Sequence, residues 1–127
     1  KPSFQAGYFL GKIYFDEGNF ELAKKYVTNF SDNSSNEMLL VSSAKMLSDI
    51  EMQNNNFKNA ITLIKDTKKK VNLASLRNLL DLDEARLLIQ SGLIDNARAK
   101  LNSILDLKDL PNNQKQIAEQ LLGQISS

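Results

Sequence analysis

The sequence predicts an all-α protein: three helix–turn–helix pairs stacked as a solenoid, with one further helix closing the C-terminal end. Two observations carry this. Three corners, "EGNFELAKK" (Glu17 to Lys25), "NNNFKNAIT" (Asn54 to Thr62) and "SGLIDNARA" (Ser91 to Ala99), share one pattern. They align on Ala23, Ala60 and Ala97 with a constant step of 37 residues, and Gly18, Asn55 and Gly92 keep that step, as do Phe20, Phe57 and Ile94. Self-similarity at such a period signals a repeat architecture. Strand-like alternation is weak throughout, whereas apolar residues recur at helical spacing.

Each unit reads as two helices, with units spanning residues 4–31, 36–67 and 72–106. Ser3 is suited to cap a first helix running from Phe4 to Glu17, on which Leu10 and Tyr14 stack at i, i+4. Gly18-Asn19 ends it, and a second helix covers Phe20 to Phe30. Ser34 and Glu37 have capping-box spacing at the head of the next helix, residues 36–53. Asn54-Asn55-Asn56 supplies the second corner, since Asn tolerates a left-handed backbone, and a helix follows over 57–67. Asn72 is placed to cap a helix to Ser91; Gly92 turns it, and Ile94 to Leu105 form its partner. Pro111 stands in the first turn of a capping helix, 111–125, whose apolar stripe is Ile117, Leu121 and Ile125.

The spacing has a steric reason. Antiparallel helices approach closely where small residues meet, and Gly11, Ser48 and Ala85 precede Ala23, Ala60 and Ala97 by twelve positions. Phe20, Phe57 and Ile94 are expected to plug the open end of each pair. One pair cannot bury its own apolar face, so pairs stack.

Composition excludes several functions. Formal charge is +1, from 16 basic and 15 acidic residues, which does not suit nucleic-acid binding by bulk charge. There is no cysteine and no histidine, which removes thiolate chemistry and the commonest general base. No nucleophile elbow, P-loop or dinucleotide fingerprint is present. The expectation is therefore a protein that is not an enzyme, with no cofactor and no metal. Asp81, Asp83 and Glu84 form the densest acidic cluster, read as a solvated or interface-facing stretch of helix. The run Lys68 to Lys70, with Lys65, suits the negative end of a helix dipole; contact with anionic lipid headgroups is its functional alternative.

The first unit, with Leu10, Gly11, Tyr14, Gly18, Phe20 and Ala23, resembles the tetratricopeptide repeat. The second keeps Leu47, Phe57 and Ala60 but has Ser48, Glu51 and Asn55 at family positions for glycine, an aromatic and glycine. The third keeps Gly92 and Ala97, substitutes Ala85, Leu88 and Ile94, and carries Glu84 where leucine is usual. The resemblance implies a right-handed solenoid whose first helices line a concave, partner-binding groove. Carried over, the groove positions are Tyr8, Lys12, Phe15 and Asp16; Lys45, Asp49, Met52 and Gln53; and Leu79, Leu82, Arg86, Ile89 and Gln90. The family's clamp for a C-terminal carboxylate is not reproduced, because Tyr8 and Lys12 replace its lysine and asparagine. The set is amphipathic and suited to an apolar or helical partner segment. Leu79, Leu82 and Ile89 equally suit packing against the capping helix, and an uncapped end at Phe4–Tyr8 would offer a homodimer face.

The 37-residue units, the corner "QSGLIDNARAKL" and the closing "LPNNQKQIAEQLLGQI" are similar to the YfgM-type tetratricopeptide-like proteins of bacteria. That resemblance implies a periplasmic domain anchored to the inner membrane by one N-terminal helix. It also implies translocon subunits or periplasmic chaperones as partners in handling secretory and outer-membrane proteins. The chain opens at Lys1 without methionine, which reads as a soluble fragment with its anchor upstream. A cytosolic adaptor or regulatory domain of the same fold, binding a partner peptide or helix, is the alternative.

Overall fold

The computed structural model describes residues 4–126, Phe4 through its backbone alone. Among the described residues it contains seven α-helices and no strand: α1 (Phe4–Asp16), α2 (Phe20–Asn33), α3 (Glu37–Gln53), α4 (Phe57–Lys68), α5 (Ala74–Gln90), α6 (Ile94–Leu105) and α7 (Asn112–Ile125). The chain divides into two compact units, Lys1–Leu63 and Ile64–Ser127, and the division falls within α4.

The corners after α1, α3 and α5 repeat the same hydrogen bonds. Asn19, Asn56 and Leu93 donate their backbone N–H to the carbonyls of Tyr14, Glu51 and Leu88, at 2.8, 2.8 and 2.9 Å. Gly18, Asn55 and Gly92 donate to Phe15, Met52 and Ile89, each at 3.0 Å. This nested pair is the Schellman closure, which needs one left-handed residue at the bend. Gly18 and Gly92 supply it at φ 79°, and Asn55 at φ 61°. The next helix starts at once, with Ala23, Ala60 and Ala97 donating to Asn19, Asn56 and Leu93 at 3.0 Å.

In the first unit α1 packs along α2, and both pack on α3. Gly11 sets the closest approach of α1 to α2: a Cβ there would overlap the Val27 side chain and sit 3.4 Å from the Ala23 carbonyl. Ala23 is fully buried. Tyr8, Val27, Phe30, Met46 and Leu47 form the core, with Phe15, Leu39 and Leu63 half-buried against it. Tyr14 stacks on Tyr26 at 5.8 Å, and Phe15 packs on Phe20 at 5.5 Å.

In the second unit α5, α6 and α7 pack on one another. Leu82, Ala85, Leu101, Ile104, Ala118 and Leu121 form its core. Burying each leucine or isoleucine contributes about 1.5–3 kcal/mol. Arg98 donates to the Ile125 carbonyl at 3.1 Å, tying α6 to the end of α7, and Gln114 of α7 donates to the Ser75 carbonyl of α5 at 2.9 Å. Arg77 donates to the carbonyls of Lys68 and Val71 at 2.6 and 2.9 Å, so a guanidinium satisfies acceptors at the end of α4.

Several expectations need correction. Ser3 lies outside the described residues. The cap of α3 is Asn36, whose side chain accepts from the Leu39 N–H at 3.1 Å; Ser34 instead accepts from the Asn36 N–H. α5 begins at Ala74 after Leu73, so Asn72 is not its cap. Pro111 is the N-cap of α7 rather than its first helical residue, its carbonyl taking the N–H groups of Gln114 and Lys115. α7 buries Gln114, Ala118 and Leu121 and leaves Ile117 exposed, because the packed face is rotated by about one residue from the expected stripe. Leu10 is 36% exposed, and Tyr14 stacks on Tyr26. Phe57 is 37% exposed at its corner, and Phe20 and Ile94 are half-buried at theirs.

Candidate functional site

The expected groove residues fall into three groups. Tyr8 is buried against Phe30, with ring centroids 5.3 Å apart, and belongs to the first unit's core. Leu82 is buried among residues of α6 and α7, and Leu79 and Ile89 lie half-buried against the same cluster. Leu79, Leu82 and Ile89 thus pack in the cluster to which α6 and α7 contribute, and Tyr8 and Leu82 offer a partner no surface. Phe15, Asp49, Met52 and Arg86 are half-buried, and Lys12 and Lys45 are exposed. In the first unit this leaves Lys12 and Phe15 on α1 with Lys45, Asp49 and Met52 on α3, two helices in mutual contact. Lys12 pairs with Asp16 at 3.3 Å on the surface, an exchange worth little in water.

The acidic cluster is not a solvated stretch. Lys68 donates to both carboxylate oxygens of Asp81, at 2.8 and 3.0 Å. Lys100 lies 3.5 Å from Asp81 and 3.4 Å from Glu84, which is buried. The leucine expected at position 84 is thus replaced by a carboxylate that α6 neutralises. Lys68 turns inward as part of this network, while Lys65, Lys69 and Lys70 remain exposed. Lys65 and Lys68 do occupy the last turn of α4, where cations suit the dipole.

A second internal ion pair was not foreseen. Glu51, in the last turns of α3, is 5% exposed. It accepts from Lys24 of α2 at 2.8 Å and from Asn56 of the corner at 2.9 Å. The Lys24 hydrogen bond holds its carboxyl below the usual glutamate range; burial opposes this, and Asn56 and Asn59 add to it. The signal was present in the sequence as a glutamate at a position where the repeat wants an aromatic. Its partner Lys24 carries no comparable mark, being one of two adjacent lysines on a polar face.

Among the described residues of the first unit, α1 exposes three large apolar side chains. Phe9, Leu10 and Ile13 are 55%, 36% and 54% exposed, and their spacing puts them on one stripe of the helix. At the expected apolar end Phe4–Tyr8, Tyr8 is internal, and the side chain of Phe4 is outside the described residues. Advancing the stripe by 37 residues lands on Met46, Leu47 and Ile50 of α3, all buried. The outer face of α7 contrasts with α1. It is a shallow depression lined by Asn113, Gln116, Ile117, Glu119 and Gln120, polar but for one isoleucine.

Among the described residues no helix is long and apolar enough to cross a membrane. No family model matches the chain, and no curated protein or solved structure matches it.

Proposed function

We propose that the chain is a protein–protein interaction scaffold, not an enzyme, built as a right-handed tetratricopeptide-like solenoid of three helix pairs and a C-terminal capping helix. The observation supporting this reading is the corner recurring every 37 residues with the same bonds and the same left-handed residue. Such corners build a frame that leaves the faces of the first helices to meet partners. The resemblance to the YfgM type supports a periplasmic domain of an inner-membrane-anchored protein. Its partners there are translocon subunits or periplasmic chaperones, engaged while secretory and outer-membrane proteins emerge. In the first unit the partner-facing set is Lys12 and Phe15 with Lys45, Asp49 and Met52. A peptide or helix is the partner type these mixed polar and apolar side chains suit.

Site-specific photo-crosslinking in source cells tests this reading. Photoreactive residues at positions 45 and 52 should capture translocon or chaperone proteins in the envelope fraction. Crosslinks confined to cytosolic proteins select the adaptor alternative. Failure of both positions to crosslink any protein, while the protein is folded and abundant, overturns the scaffold reading.

A further inference from the structure

We infer that one end of the second unit, carrying Leu73 and Leu107 among exposed lysines, is a contact face for an anionic lipid bilayer. This goes beyond the scaffold reading and shares no residue with the set on α1 and α3.

Three bonds bring the parts of this face together. Arg77 of α5 donates to the carbonyls of Lys68 and Val71, which folds residues 69–73 over the head of α5. Gln114 of α7 donates to the Ser75 carbonyl, so the heads of α5 and α7 lie side by side. The loop 106–111 leads into α7 and therefore shares this end. Lys69, Lys70, Leu73, Leu107, Lys108 and Lys115 are all exposed. Lys68 faces Asp81 instead, so the contact is not made by the three consecutive lysines of the sequence but by two of them with residues from a second loop.

Burial explains neither leucine, since Leu73 is 59% and Leu107 44% exposed. Leu73 is also the N-cap of α5 and makes no side-chain capping bond, at a position that favours Ser, Thr, Asp or Asn. Leu93 is the same residue in the same role on α6, at 47% exposure. The charge beside them differs. Leu93 is followed by Asp95, whereas Leu73 follows Lys69 and Lys70. Lys69, Lys70, Lys108 and Lys115 outnumber the exposed carboxylates of this end, Asp106 and Asp109, in a chain whose formal charge is only +1. The 3.7 Å pair of Lys69 with Asp66 leaves both side chains more than half exposed.

The positive excess calls for an anionic partner, and the layout favours a bilayer over an acidic protein segment. Leu73 and Leu107 stand on separate loops, whereas a bound helix lays one continuous apolar stripe into a groove. Apolar side chains that enter the headgroup boundary need only share an end of the molecule. Lysines act as point charges in the field of an anionic surface. Arg77, whose planar fork would suit a carboxylate, is committed to backbone carbonyls.

The whole chain is sedimented with vesicles of phosphatidylcholine alone, or with about 30% phosphatidylglycerol added. The anionic vesicles should bind it at least about tenfold more strongly, and about 0.5 M salt should remove the difference. Reversing two charges together, Lys69→Glu with Lys70→Glu, should weaken that binding at least about tenfold. Leu73→Ser should weaken it about threefold to fivefold, and it supplies a favoured cap to α5, so the fold is kept. Leu93→Ser is the matched control and should leave binding within about 1.5-fold of wild type. Melting curves confirm that each variant is folded. No binding to anionic vesicles, equal binding to both vesicle types, or binding unmoved by the charge reversal overturns the proposal. So does a Leu73→Ser variant that behaves like Leu93→Ser. Saturable binding of a fluorescent glutamate-rich peptide by a chain that ignores anionic vesicles would give the face to an acidic protein instead.

Discussion

Ile13 and Ile50 are the same residue at the same place in consecutive repeats, yet one is 54% exposed and the other 2%. Nothing local distinguishes them; both lie on helices that end in the same corner. The difference is the neighbour. α3 has α2 and α1 against it; α1 packs on α2 and α3 as well, yet leaves Phe9, Leu10 and Ile13 exposed. A repeat position thus fixes which way a side chain points, and the adjoining helix decides whether that direction is core or surface. The sharpest way to break the comparison is truncation at both sites. Ile50→Ala should cost about 2–5 kcal/mol, as a large-to-small change in a packed interior. Ile13→Ala should cost under about 1 kcal/mol. Chemical denaturation measures both, and similar costs would mean that the α1 face is already covered.

The second comparison is Gly11 against Ser48, the small residues of the first two repeats. Both are buried. Gly11 has no room for a Cβ against Val27, while Ser48 holds its hydroxyl on the Lys45 carbonyl at 2.9 Å. Gly11→Ala should therefore destabilise by about 1–3 kcal/mol through overpacking. Ser48→Ala removes a local helix hydrogen bond and should change stability by less than about 1 kcal/mol. A benign Gly11→Ala would show that α1 can shift away from α2 at little cost.

These pairs also show what was legible. The corners were, because a left-handed bend admits few residues and two glycines and an asparagine recur in phase. The small residues at 11, 23, 60, 85 and 97 were, because close helix approach leaves no alternative chemistry. The groove was legible only in part. Tyr8 is amphipathic, and its burial depends on Phe30, 22 residues away. α5 spreads leucines and charged residues all round its circumference, so its pattern could not say that Leu82 is core. Polar residues misled in the same way: Glu84 and Glu51 read as departures from the repeat until Lys100 and Lys24 supply their counter-charges across helices.

Position 51 gives the third comparison, with Tyr14 as its counterpart one repeat earlier. Tyr14 stacks on the Tyr26 ring; Glu51 is held by its ion pair with Lys24. Because the folded carboxyl titrates below its ordinary value near 4.3, its contribution is present above that value and is lost as pH falls through the lowered one. Glu51→Gln should cost about 1 kcal/mol at neutral pH, a modest figure because Lys24 is itself half-exposed. The gap between wild type and Glu51→Gln should narrow as pH falls below about 4. Melting both proteins across that range checks the sign. A gap that stays constant would mean the carboxylate's charge contributes nothing. Tyr14→Phe should show no acid-dependent difference from wild type.

The smallest effect belongs to Asn55 in the second bend. Gly18 and Gly92 adopt φ 79° without steric cost, and Asn55 adopts φ 61° with a Cβ in a region that L-residues disfavour. Asparagine offsets part of that cost through its short polar side chain, which is why it can stand in this corner at all. Asn55→Gly relieves the remaining strain but enlarges the unfolded ensemble, and the two terms oppose each other. The net should be a stabilisation of a few tenths of a kcal/mol, a rise in Tm of about 1–3 °C. Gly18→Ala, the reverse experiment in the first repeat, should lose about 1–2 kcal/mol. It meets no neighbour within 4 Å, so any loss is backbone strain alone. If Asn55→Gly destabilised by more than about 1 kcal/mol, the Asn55 side chain would be holding the corner, and the second bend would differ from the first in kind rather than degree.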